Sequence, residues 1–233
     1  MGEEVEEKQI LEEKMIGKDE THFVLVHGIG GGAWCWYKLR CLLENSGGCK
    51  VTCLDLKASG VDPADANSVL SFDDYNKPLI DFLASLPHNQ QVILVGHSAG
   101  GLSVTDACHK FPQKISLAVY VSATMLKTGF NSEQDIKDDS TLATMLLRPG
   151  PIKALLNARF QEGEDDVERV PRVYIRATHD NVVKPAQQDA MIKRWPPAAV
   201  YTLECDHSPF FSAPFMLSGL LLKAATSLGT LKY

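Results

Sequence analysis

Short apolar runs alternate with amphipathic stretches along most of the chain. His22 to Val26, Lys50 to Leu54, Val92 to Val95, Ile115 to Val121, Val170 to Ala177 and Ala199 to Leu203 are brief and rich in β-branched side chains. Runs of this kind, bounded by turn residues, predict strands buried in a parallel sheet. Helical periodicity fills the intervals Trp34 to Leu43, Phe72 to Leu86, Gly101 to Lys110, Pro185 to Trp195 and Pro214 to Leu228. Ser71 is placed to cap the second of these at its N-terminus. Gly47-Gly48 and Gly229 are placed to end the first and the last. Pro78 fits a helix only in its first turn or at a kink. Strands that alternate with helices predict a mostly parallel sheet with crossover helices on both faces.

Two stretches depart from this alternation. Residues 1–20, rich in Glu and Lys, read as a flexible acidic leader ahead of one domain spanning 21–233. Residues 122–168 have weak periodicity: a helical patch at Leu142 to Leu147, a break at Pro149-Gly150-Pro151, a helix-like Ile152 to Phe160 and an acidic loop from Glu162 to Glu168.

Composition narrows the function classes. With 233 residues, 45% hydrophobic and 22% charged, the chain can bury one large core. A net charge of −6 argues against a nucleic-acid surface or a polybasic membrane patch. No apolar run reaches the roughly 18 residues of a membrane span, and the acidic start does not read as a signal peptide. The six cysteines form no Cys-x-x-Cys pair and have no histidines at zinc spacing. Reduced thiols and a cytoplasmic location are the expectation.

The chemistry gathers at one point. The apolar run Val92 to Val95 leads into Gly96-His97-Ser98-Ala99-Gly100, and a helix pattern follows. Strand, sharp turn and helix form the setting of a Gly-x-Ser-x-Gly nucleophile elbow, which presents a serine hydroxyl at the top of an α/β-hydrolase sheet. Such a serine needs a base to take its proton and an acid to orient that base, in the chain order Ser, Asp or Glu, His. Ser98, Asp180 and His207 meet this order, the latter two just past predicted strand ends. Asp206 adjoins His207 and would tend to point away. His179 precedes the acid, His97 is expected to pack under the turn, and His27 suits a structural role. Glu204 has no assigned role, and Cys205 lacks an elbow.

The loop His27-Gly28-Ile29-Gly30-Gly31-Gly32-Ala33 also follows a strand. Its glycines resemble the looser form of a dinucleotide fingerprint, with Asp55 at about the distance of a ribose-binding acid. The elbow at Ser98 favours another use. The backbone N–H groups of Ile29 and Ala99 would form an oxyanion hole, with glycines letting the backbone approach the reacting carbonyl.

These residues resemble the plant methylesterase and hydroxynitrile lyase family of α/β-hydrolases. The likeness runs through HFVLVHGIGGGAWCWYKL, DLKASG, VILVGHSAGGL, FPQKI, RPGPI, VPRVYI, VVKPAQQDAMIKRWPP and DHSPFF. It implies a serine esterase acting on methyl esters of small plant-hormone acids. The carboxyl-terminal wording is closest to the branch acting on methyl indole-3-acetate. The lyases carry a threonine and a lysine where this chain has Gly28 and Ser208, so the cation that would hold departing cyanide is missing. Gly28 and Ser208 are accordingly the expected substrate-binding positions. The resemblance implies a small-molecule ester as partner, no metal or organic cofactor, and is compatible with a homodimer. It also implies a helical lid much of which is missing between MLKTGF and RPGP, so the cap is truncated. A hormone-binding protein with little turnover is the competing reading, because a lid supplies the apolar walls of a pocket.

Overall fold

The computed structural model describes residues 20–45, 48–130, 150–160 and 166–228. Six strands, β1 (Thr21–Val26), β2 (Cys49–Leu54), β3 (Val92–His97), β4 (Ile115–Val121), β5 (Arg172–Ala177) and β6 (Ala199–Leu203), form one sheet. Their order is β2-β1-β3-β4-β5-β6, with every pairing parallel. All six predicted strands are present, within two residues at either end.

The helices are α1 (Tyr37–Asn45), α2 (Phe72–Ser85), α3 (Gly100–Lys110), α4 (Ile152–Leu156), α5 (Asp166–Arg169), α6 (Pro185–Arg194), α7 (Pro209–Ser212) and α8 (Pro214–Ser227). Ser71 caps α2 as expected, its hydroxyl accepting from the Asp74 N–H at 3.1 Å. Asp73 and Asp74 in the first turn complement the helix dipole. Pro78 lies beyond the first turn of α2, which continues to Ser85. The buried face of the helix (Tyr75, Leu79, Leu83) holds it against the core despite the missing donor.

Alternation of side chains across the strands divides the core in two. Val24, Val26, Val92, Leu94, Ala118, Tyr120 and Tyr174 face the layer containing α2 and α3. Phe23, Leu25, Ile93, Val95, Leu117, Val119, Val173 and Ile175 face the layer containing α1 and α8. Central strands covered on both sides lose the polar-out alternation of a surface strand, which explains their continuous apolar reading. Helix α3 follows the same logic: every residue from Gly100 to Cys108 is buried.

The passage after β4 is less regular. The helix expected to reach Phe160 stops at Leu156, and Arg159 pairs with Gly129 in an isolated antiparallel bridge. Within the stretch read as an acidic loop, Asp166–Arg169 form a helical turn in which Val167 is buried. The leader up to residue 19, the patch at Leu142 to Leu147, Gly47 and Gly229 lie outside the described residues. No helix among the described residues is long and apolar enough to cross a membrane.

Leu94→Ala, at a fully buried position of the central strand, should cost about 3 kcal/mol of unfolding free energy. Leu70→Ala, at a position 59% exposed, should stay within about 0.5 kcal/mol. Urea titrations of the two variants beside the unaltered chain measure both, and equal losses would contradict this placement of the core.

Candidate active site

The strand order changes direction at one place. From β1 the chain turns to one side for β2, whereas β3 lies on the other side of β1 and leads on to β4, β5 and β6. The loops leaving the carboxyl ends of β1 and β3 diverge, and such a switch point is where open parallel sheets bind ligands. Gly28 and Ile29 lie on one side of this crevice, and Ser98 and Ala99 on the other.

Ser98 has φ 54°, in the left-handed region that side chains rarely occupy. Its backbone is held from three directions. The Ser98 N–H donates to the Val121 carbonyl at 3.4 Å, and its own carbonyl accepts from Gly101 and Thr124 at 3.1 and 3.0 Å. The flanking glycines are required by close packing. A Cβ on Gly96 would meet Val104 at 2.6 Å, and one on Gly100 would meet the His27 carbonyl at 2.5 Å. Gly28 is constrained from the opposite side, since a Cβ there would come within 2.7 Å of the Ser98 Cβ and 3.2 Å of its Oγ. Ala99 directly precedes α3, so its N–H is one of the donors that a helix N-terminus leaves without an intrahelical partner.

The carboxylate and the imidazole meet directly. His207 Nδ1 donates to Asp180 Oδ2 at 2.8 Å, and the Asp180 side chain is fully buried. Asp180 Oδ1 accepts from the N–H groups of Val182 and Val183 at 2.7 and 3.0 Å. With both oxygens engaged, the carboxylate fixes the histidine tautomer and leaves Nε2 as the basic nitrogen. Gln188, on α6, secures the loop: its amide accepts from the Ala177 N–H and donates to the Ala177 and Val183 carbonyls.

His97 joins the turn that holds Ser98 to the segment that carries His207. Its Nε2 donates to the His207 carbonyl at 2.6 Å, and the two rings lie 4.6 Å apart. Phe210 meets the same ring edge to face at 4.9 Å. Burial first, and then the neighbouring His207, push the His97 imidazole well below the ordinary histidine value, so it remains neutral. The sequence places His97 under the turn, and it is buried there. Its bond to residue 207 was beyond reach from sequence because 110 positions separate the partners. Among the described residues Ser98 Oγ makes no hydrogen bond to His207; the two are linked through His97.

The remaining candidates fall into place. Ile29 packs against Val182 and Val183, and a Cβ on Gly150 would meet it at 2.3 Å. Ser208 uses its backbone to start α7: its N–H donates to Asp206 Oδ1 at 2.9 Å, and its carbonyl accepts from Phe211 at 2.8 Å. That bond, with a second from the Ser212 hydroxyl, turns the Asp206 carboxylate toward α7. His179 is exposed. The buried Cys205 thiol is pushed up to about 12 by burial and so carries no thiolate near neutrality. Asp55, the acid of the nucleotide reading, braces the glycine loop, accepting from Ala33 at 2.7 Å and Val61 at 3.4 Å. Val182, Val183 and Gln188 carry roles not assigned from sequence. An aspartate in the turn after a strand, whose side chain can accept from the N–H groups two and three positions on, is the local signal that identifies the first two.

A family model described as the alpha/beta hydrolase fold matches residues 21–156. Methylesterase 17 of Arabidopsis thaliana is 46% identical over 279 aligned positions that cover 99% of this chain and all of the relative. The alignment is longer than this chain's 233 residues, so the relative carries stretches that this chain lacks. Pheophorbidase of Raphanus sativus is 40% identical, covering 91% of this chain and 97% of its own length. The crystal structure of the methylesterase MES16 from Arabidopsis superposes with a TM-score of 0.79 at 40% identity, covering 89% of this chain and 99% of that one.

Three buried histidines predict a pH dependence. Burial lowers His27 and His97, and burial with nearby Lys50 lowers His22 to about 4. All three are neutral when folded and take up protons near 6.5 when unfolded. Their contribution to stability is therefore complete above about pH 6.5 and lost as pH falls toward the folded values. Urea midpoints should decline from pH 7 to 5, and less steeply in His97→Phe than in the unaltered chain. Parallel curves for the two proteins would contradict the assignment for His97.

Proposed function

The chain belongs to the plant methylesterase family of α/β hydrolases, and we propose that it hydrolyses methyl esters of small plant-hormone acids through an acyl-enzyme on Ser98. The observation that carries this reading is the Asp180–His207 hydrogen bond, made beside an elbow that holds Ser98 in the left-handed region. His207 takes the Ser98 proton, and Oγ attacks the ester carbonyl. The N–H groups of Ile29 and Ala99 receive the negative charge that develops on the carbonyl oxygen. His207 then returns the proton to the departing methoxide, methanol leaves, and a water activated by the same imidazole releases the acid.

Asp180 stabilises the imidazolium formed in each half-reaction, with the Val182 and Val183 N–H groups keeping its other oxygen in place. Gly28 leaves the nucleophile free of a side chain on its oxyanion-loop side. Ser208 places no cation beside His207, which favours ester cleavage over release of cyanide. Methyl indole-3-acetate is the substrate of first choice, on the resemblance of the carboxyl-terminal motifs.

The test is hydrolysis of methyl indole-3-acetate, methyl salicylate, methyl jasmonate and p-nitrophenyl acetate, together with pheophorbide, for which one relative is named. Methyl indole-3-acetate should turn over fastest, and Ser98→Ala should abolish turnover. Asp180→Asn, which disturbs the histidine tautomer, should lower kcat about 10,000-fold with KM little changed. Full activity in Ser98→Ala would refute the mechanism. Tight hormone binding without serine-dependent turnover would favour the binding reading instead.

A further inference from the structure

We propose that His27 is a positioning residue for the oxyanion hole, setting the direction and donor strength of the Ile29 N–H through the peptide that carries it. The proposal rests on the ester-hydrolase reading above. His27 is fully buried at the carboxyl end of β1, and both ring nitrogens are engaged. The Leu56 N–H donates to Nε2 at 3.1 Å, so in the neutral ring the proton resides on Nδ1. Nδ1 donates to the Gly28 carbonyl at 2.7 Å. Burial keeps the imidazole below the ordinary histidine value and therefore neutral.

The Gly28 carbonyl belongs to the same peptide unit as the Ile29 N–H. That unit is planar and trans, so the two groups point in opposite directions. Holding the carbonyl with His27 Nδ1 and with the Gly31 N–H, at 3.1 Å, aims the Ile29 N–H away from both. Two donors on the carbonyl also polarise the peptide and strengthen its N–H as a donor. A second loop, after β2, stiffens the arrangement. Besides Leu56, the Gly60 N–H donates to the Gly31 carbonyl at 3.2 Å, and Asp55 accepts from Ala33. The glycine loop is thus braced before any ligand arrives, as electrostatic stabilisation of a transition state requires. With both nitrogens committed and no exposed surface, His27 takes no part in proton transfer.

Two substitutions separate positioning from simple support. His27→Asn places an amide N–H near the Nδ1 position and keeps the bond to Gly28, while His27→Gln places its amide oxygen near the Nε2 position and keeps the bond to Leu56. Three quantities are compared: kcat and KM for p-nitrophenyl acetate, the rate at which a fluorophosphonate labels Ser98, and the melting temperature. His27→Asn should stay within about tenfold of the unaltered chain. His27→Gln should lose on the order of 100-fold in kcat and in labelling, with KM and melting temperature little changed, as expected for loss of an oxyanion donor. Wild-type rates in His27→Gln, or activities that simply follow melting temperature, would overturn the proposal. Should neither variant fold, ¹⁵N chemical shifts of the unaltered chain decide: His27 should be the Nδ1–H tautomer, and an Nε2–H tautomer overturns the proposal. An unaltered protein that neither hydrolyses the ester nor takes the label refutes the ester-hydrolase reading itself, and the proposal with it.

Discussion

The backbone of Ser98 is the constraint on which the rest of the structure depends. A serine held at φ 54° is strained by about 1–3 kcal/mol, so the surroundings must over-determine its conformation. They do so at close range. Gly100 brings the start of α3 against the end of β1, Gly96 brings β3 against α3, and the Ser98 carbonyl is held by Gly101 and Thr124. The complete burial of α3 from Gly100 to Cys108 is part of the same device, because a helix that starts at such a turn has to be gripped along its length. A parallel sheet with layers on both faces supplies that grip.

Around this turn the site is assembled from backbone groups more than from side chains. Asp180 is oriented by two N–H groups, His207 is held by its own carbonyl, and Ile29 is directed by the carbonyl of the preceding residue. Three histidines divide the labour through their tautomers. His207 donates from Nδ1 to a carboxylate, His97 donates from Nε2 to a carbonyl, and His27 both donates and accepts. His27 has both nitrogens committed, whereas His207 is bound at Nδ1 alone. Burial holds His27 and His97 neutral, so they orient without adding charge.

Much of this was legible in the sequence, and the reason is local. The six strands are apolar runs bounded by turn residues, and the Gly-x-Ser-x-Gly turn, Asp180 and His207 all sit just past strand ends. Each signal lies within a few residues. What sequence could not supply depends on the packing of distant segments. The bond from His97 to the His207 carbonyl and the bracing of residues 27–33 by Asp55 and Leu56 both join separate crossover connections. Pro78 shows the converse: the helix runs on past a residue with no N–H to give, its buried face packed on the core. The short α4 and the helical turn at 166–169 fall where periodicity is weak, and there tertiary contacts decide the structure.

The division of the site among separate connections has a consequence for changes of chain length. The glycine loop follows β1, its brace follows β2, Ser98 follows β3, Asp180 follows β5 and His207 follows β6. The connection after β4 supplies Thr124 to the turn and Gly150 against Ile29, but none of the proposed reacting groups. A change of length there leaves every connection that carries a proposed reacting group untouched. In such an architecture a single segment can be rewritten without disturbing the loops that hold Ser98, Asp180 and His207.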